Sequence, residues 1–168
     1  MTPVDSFADF ICELDKLKAV KRKITLPADN NREENSAEHS WHVALMASML
    51  SQYAAKPIDI QRVIQMILIH DVVEIDAGDM FAFNTQQDHA AQAEKEMAAA
   101  KRIFGLLPPP FDETMLQLWL EFEDAATPDA EFAKAMDRVL PVFQNMNAKG
   151  GSWATHKISR QQIEKRNA

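Results

Sequence analysis

Two histidines and two aspartates, His39, His70, Asp71 and Asp137, stand in or beside apolar stretches of the sequence, where ionisable groups are uncommon. The segment VIQMILIHDVVEIDAG, residues 63–78, is the clearest case. A long apolar run ends on His70-Asp71, with Glu74 and Asp76 just beyond and Gly78-Asp79 after them. Charges at the end of a buried segment are costly unless they are exposed, paired or bound to a metal ion. His39 is followed at four and seven residues by Val43 and Met46, so on a helix it shares their inward face. Asp137, in FAKAMDRVLPVF, lies close to a stripe formed by Phe132, Ala133, Met136, Leu140 and Phe143. Each residue alone has a plain structural explanation. A histidine near an apolar face is more often a hydrogen-bonded core residue, and Asp137 can pair with Arg138 or a neighbouring lysine. Together, two imidazoles and two carboxylates satisfy a divalent transition metal and leave coordination positions open. Open positions are what a catalytic metal needs for water and a phosphate oxygen.

The elements that must carry these residues read as helices. Val4, Phe7, Ile11, Leu14 and Leu17 repeat at helical spacing over Pro3 to Lys18, with Cys12 packed on a face of that helix. A polar loop, KRKITLPADNNREEN, leads to a helix capped by Ser36 with Glu38 in its first turn. That helix ends by Lys56-Pro57. Residues 58–70 could be a buried strand, but Ile60, Val63, Ile64, Ile67 and Leu68 keep helical period and Asp59 can start a helix. Further helices are expected over 86–104, stopped by Gly105, and over 111–124 after the PPP breaker. Thr127-Pro128 opens one through about Asn147, ended by Gly150-Gly151, and a short terminal helix from Ser159 is open. The expectation is a single all-α domain over 1–168, a bundle of six or seven helices without strands.

The bulk composition bounds the function. At 168 residues with 46% apolar residues and only four glycines, the chain suits one well-buried helical core. A net charge of −7 argues against a nucleic-acid polymer or membrane surface as partner. A negatively charged small substrate then needs a local cation or arginine cluster. A single cysteine rules out an internal disulfide and fits a reducing, cytoplasmic setting. MTPVDSFADF lacks the features of a signal peptide, and no apolar run approaches the ~20 residues of a membrane span. Neither a G-x-S-x-G elbow nor a Gly-rich phosphate loop occurs, which disfavours a serine nucleophile and ATP-driven chemistry.

His39, the adjacent His70-Asp71 and the distant Asp137 resemble the H…HD…D pattern of the HD-domain metal-dependent phosphohydrolases. The flanks are similar to the 5′-deoxynucleotidase-like subgroup: REENSAEHSWHVA around the first histidine, HDVVEIDAGD as its HD-x-x-E-x-x-x-G-D segment, and MDRVLPVFQNMNAKGGSWATH as its D-R-x-x-P…N…GG-x-W tail. The likeness covers about residues 22–156. It implies an HD-domain fold in which His39, His70, Asp71 and Asp137 bind one divalent metal ion, with Mn, Co, Fe, Ni and Zn all suited to two nitrogen and two oxygen ligands. Glu74 is then the catalytic residue that orients or deprotonates the attacking water. Arg22 is the implied phosphate ligand, with Lys21, Lys23 and Arg32 as competitors, and Asp79 the implied sugar contact after the Gly78 turn. The aromatic residue that follows this arginine in some members is absent, where Lys23 and Ile24 stand.

The function implied is phosphate removal from (deoxy)nucleoside 5′-monophosphates, a small phosphorylated substrate. An HD phosphodiesterase acting on a signalling nucleotide and a non-catalytic helical metal-binding module are the alternatives. Members of the family are often dimers, so a homodimer is admitted. His42 reads as a neighbour of the site or a surface residue, Asp76 as solvated, and Trp153 and His156 as a flap or lid in GGSWATH.

Overall fold

A computed structural model describes residues 2–167. Helix α1 spans Pro3–Leu14 and is opened by Thr2, whose hydroxyl and backbone exchange hydrogen bonds with Asp5. Its inward face is only in part the one expected: Leu14 and the following Leu17 pack into the core and Phe7 is half-buried. Val4 is 74% and Ile11 64% exposed, and Cys12 is exposed too, while Glu13 turns inward. The carboxylate of Glu13 pairs with Lys16 and with Arg102, and this pairing joins the packing of Phe10 and Leu14 in fixing the rotation of α1.

The polar stretch that follows is a hairpin, correcting the expectation of a loop. Strand β1, Lys21–Leu26, pairs antiparallel with β2, Arg32–Asn35. Asn30 and Asn31 between them take left-handed φ angles of 50° and 59°, which asparagine tolerates better than most residues. The hairpin feeds directly into α2, Ser36–Leu50. Asn35, not Ser36, is its cap, and it forms a reciprocal capping box with Glu38. Displaced from that role by one position, the Ser36 hydroxyl is buried and free to point elsewhere.

Helix α3, Ile60–His70, begins at Asp59 as its sequence suggests. A tight 3-10 turn over Asp71–Val73 joins it to the short α4, Glu74–Ala77, which Gly78 ends at φ 75°. Helix α5, Gln86–Phe104, is followed by α6, Phe111–Asp124. Thr127 caps α7, Pro128–Asn147. The glycine pair does more than stop α7. It opens a further short helix α8, Gly151–Thr155, before α9, Arg160–Asn167.

Two apolar clusters make the core. In one, Val43 and Ala47 of α2, Val63, Met66 and Ile67 of α3, Leu118 and Phe122 of α6, and Ala130, Ala133 and Leu140 of α7 close around α3. The small residues Ala47, Ala130 and Ala133 let the flanking helices approach α3 closely. In the other, Val72 and Val73 pack with Ile103 and Phe104 of α5 and with Trp119 of α6. His70-Asp71 therefore lies at the seam between the clusters. No helix of the described residues is long and apolar enough to cross a membrane.

Candidate functional site

The seam brings three elements together. His39 comes from the first turns of α2 and is fully buried. His70 is the last residue of α3, and Asp137 sits on α7. One ligand atom from each of His39, His70 and Asp137 lies within 4.8 Å of the others. His39 Nε2 stands 2.9 Å from Asp137 Oδ1, and His70 Nε2 is 3.6 Å from that same oxygen. Asp71 joins through Oδ1, 3.0 Å from His70 Nε2, while its Oδ2 accepts a 2.7 Å hydrogen bond from Arg22 Nη1. All four residues singled out by their spacing meet at this point.

The ring nitrogens facing away from the cluster have oxygen neighbours. His70 Nδ1 lies 2.6 Å from the Ile67 carbonyl, so Nδ1 carries the proton of the neutral ring and Nε2 presents a lone pair inward. That Nε2 is buried without a hydrogen-bond partner among the described residues. His39 Nδ1 faces Glu34 Oε2 at 3.3 Å, close enough for an ion pair but not aligned for a hydrogen bond. Trp119 Nε1 donates to the His70 carbonyl at 3.2 Å and so fixes the end of α3.

Around this centre the charges are tightly coupled. Arg22, from the inward face of β1, has Asp71 at 2.7 Å and Glu34, Asp79 and Glu74 at 3.7, 3.8 and 3.9 Å. Burial alone would raise Asp71, but the charges of His70 and Arg22 bring it down to about 2. Burial also works against ionised Asp137, yet its hydrogen bond with His39 and the His70 imidazole beside it hold it well below the usual carboxylate range. Burial opposes a charge on His70, and Asp71 and Asp137 still lift its pKa well above an ordinary imidazole, so the two carboxylates draw a cation, a proton or a metal ion, to the Nε2 lone pair. The carboxylates thus create a field that favours positive charge between the ring nitrogens. Glu74 behaves in the opposite way. Burial, and then the charge of Asp71, push it well above the usual range. The Ser36 hydroxyl donates to Glu74 Oε2 at 2.5 Å, holding the carboxyl in one orientation.

A cavity opens from this centre, lined by Arg22, Asp79 and Asp137 and walled by Phe81, Phe83 and Trp153. Asn145, buried on α7, accepts from the Ser152 hydroxyl at 2.9 Å and the Trp153 amide at 3.3 Å, which seats α8 and its tryptophan at the wall. His156 is exposed and stacks on Phe81 with ring centroids 4.5 Å apart. His42 is exposed on α2, outside the cluster. Arg32 is taken by Asp29 and Glu38, and Asp76 is not merely solvated but paired with Arg102. Glu34 was not singled out by sequence, and Ser36 only as a helix cap. The alternation of a strand, which turns Glu34 inward along with Arg22, is the signal that could have found the first.

Comparison with known proteins agrees with this geometry. A family model described as "HD domain" matches residues 14–168. The crystal structure of a predicted metal-dependent phosphohydrolase from Magnetospirillum magnetotacticum MS-1 superposes with a TM-score of 0.90 at 44% identity, covering 96% of this chain and 80% of that one. An HD-domain phosphohydrolase of Listeria innocua shares the fold at a TM-score of 0.69 and 20% identity, covering 84% of this chain and 69% of that one. The human (Homo sapiens) 5′-deoxynucleotidase HDDC2 is 27% identical over 83% of this chain and 66% of its own length. The chain thus spans about two thirds of the length of the curated relatives it matches. It belongs to the HD-domain family of metal-dependent phosphohydrolases.

Proposed function

We propose that this protein is a metal-dependent phosphohydrolase that removes phosphate from nucleoside 5′-monophosphates, deoxynucleotides included. The observation that carries the reading is the His70 Nε2 lone pair, buried, without a hydrogen bond, and facing the carboxylates of Asp71 and Asp137 at 3.0 and 3.6 Å. Lone pairs from an imidazole and two carboxylates repel one another unless a cation lies between them, so the donor set fits a divalent metal. His39, His70, Asp71 and Asp137 would hold it, and two nitrogens with two oxygens suit Mn, Co, Fe, Ni or Zn. Such a cation supplies polarisation of a phosphate oxygen and a lowered pKa for water. Substrate class is supported by relatives named as 5′-deoxynucleotidases and by aromatic side chains in the cavity wall.

The remaining steps belong to the protein's own side chains. Glu74 accepts the proton of the attacking water, and burial beside Asp71 makes its carboxylate a stronger base than an exposed glutamate. Ser36 keeps that carboxyl aimed. Arg22 exchanges its bond to Asp71 for the phosphate oxygens, which a guanidinium can grip with two hydrogen bonds. Asp79, behind the Gly78 turn, meets the sugar hydroxyls. Exposed apolar residues on α2 and α7, Trp41, Leu45, Met49, Phe143 and Met146, support a homodimer. A monomer mass in sedimentation equilibrium would remove that part of the proposal.

The decisive experiment measures phosphate release from a panel of nucleoside 5′-monophosphates with each metal in turn. Glu74→Gln should lower kcat by roughly 100-fold or more with metal content unchanged. Full activity in that variant, or no release from any nucleotide by the unmodified protein, overturns the reading.

A further inference from the structure

The ionisable lining of the cavity is uneven: Arg22, Lys23, Arg138 and Arg166 stand against Asp79 and Asp137. A chain of net charge −7 that gathers four cationic side chains around one recess has a local field suited to an anion. Three of the four have an evident place. Arg22 is bound to Asp71 at 2.7 Å, Lys23 approaches Glu33 at 3.8 Å, and Arg138 is open to solvent.

Arg166 is different. It is half-buried, yet among the described residues its guanidinium has no carboxylate at ion-pair distance. Its one hydrogen bond there is a long one, from Nη1 to the Ala82 carbonyl at 3.4 Å. Burial pushes its pKa down, with Asp137 opposing that effect and Arg138 and Arg22 adding to it. A guanidinium kept this close to two others is held against repulsion. The helix that carries it, α9, has no fully buried residue and one half-buried apolar side chain, Ile163, so little apolar packing holds it over the cavity.

We propose that Arg166 is a substrate-binding residue, a second guanidinium after Arg22 for the phosphoryl group, delivered to the cavity by α9. The inference rests on the phosphohydrolase reading of the same cavity. An incoming phosphate dianion converts the repulsion among these cations into paired, charge-assisted hydrogen bonds. Nothing in the position of Arg166 would favour a neutral nucleoside. The residue therefore selects for ligands that carry a phosphate and against the nucleoside product.

Isothermal titration of the metal-loaded full chain with inorganic phosphate, and separately with 2′-deoxyadenosine, tests this without turnover. Arg166→Ala should raise the phosphate Kd and the nucleotide KM about tenfold, and leave the nucleoside Kd and the metal content unchanged. Arg166→Gln, which can still donate to the Ala82 carbonyl, should behave like the alanine variant, and Arg166→Lys should recover part of the affinity. Unchanged phosphate affinity in the alanine or glutamine variant overturns the proposal. So does an equal loss for the nucleoside, or an unmodified protein that binds no phosphate. If no nucleotide is hydrolysed but phosphate affinity still falls in Arg166→Ala, the reaction is wrong and the anion site stands.

Discussion

At the scale of single residues, Glu34 ties the two halves of the site together. It is 2% exposed, accepts a 2.6 Å hydrogen bond from Gln144 Nε2, and places Oε2 at 3.3 Å from His39 and 3.7 Å from Arg22. One carboxylate thereby orients a ring offered to a metal and a guanidinium offered to a phosphate. Glu34→Gln keeps the shape and removes the charge. It should weaken metal binding roughly 10–100-fold, as loss of a carboxylate behind a ligating histidine typically does. A metal titration that gives the same Kd for both proteins would deny the residue this role. Asp137→Asn should cost more, because Asp137 Oδ1 faces both imidazoles. Metal-dependent phosphate release should disappear and metal content after loading should fall, and elemental analysis checks the second. His39, His70, Asp71 and Asp137 were legible in the sequence because each is an ionisable residue in or beside an apolar run. Glu34 was not, since NNREENSAE offers many acids and no apolar contrast to show which one points inward.

At the scale of elements, the helices were legible and the hairpin was not, for one physical reason. Strand alternation is normally visible as apolar against polar, but Arg22 stands beside Ile24 on the inward face of KRKITL and Glu34 is the buried residue of REEN, which breaks the contrast. The site itself erased the signal. Ser36 gives a smaller instance: it is a good cap by type, but Asn35 takes the cap, leaving the serine hydroxyl for Glu74. The inward turn of Glu13 on α1 was missed because its pair with Arg102 joins residues 89 positions apart, which periodicity cannot see. The glycine pair carries a prediction at this scale. Gly151 has φ +40°, and a Cβ there would lie 2.8 Å from Asn145 Oδ1, the atom that seats α8. Gly151→Ala should lower stability by about 1–3 kcal/mol and loosen the Trp153 wall. Thermal melts check the first effect and Trp fluorescence the second, and an unchanged melt would show that Asn145 yields freely.

At the scale of the molecule, an acidic chain of net charge −7 meets an anionic substrate through one cationic recess. Attraction of that kind is screened by salt. The nucleotide KM should therefore rise between about 0.01 and 0.15 M ionic strength, with kcat little changed. A KM indifferent to salt would assign recognition to the aromatic walls instead. The sequence made the overall charge plain. It did not show that four cationic side chains from three separate parts of the chain converge on one opening.

The seam between the two apolar clusters has a mechanical consequence. His39 and Asp137 are 98 positions apart, on α2 and α7, two helices that pack around α3 in the same apolar cluster. An ion held between them acts as a removable rivet, closing a long loop of chain in the native state alone and so favouring that state. At 100 times its Kd a ligand adds about 2.7 kcal/mol, which for a chain of this length is roughly 5–10 °C of melting temperature. Chelation should lower Tm by that amount, and refilling with a suited metal should restore it. Equal melts with and without chelator would mean that the helices stand together without any such fastening.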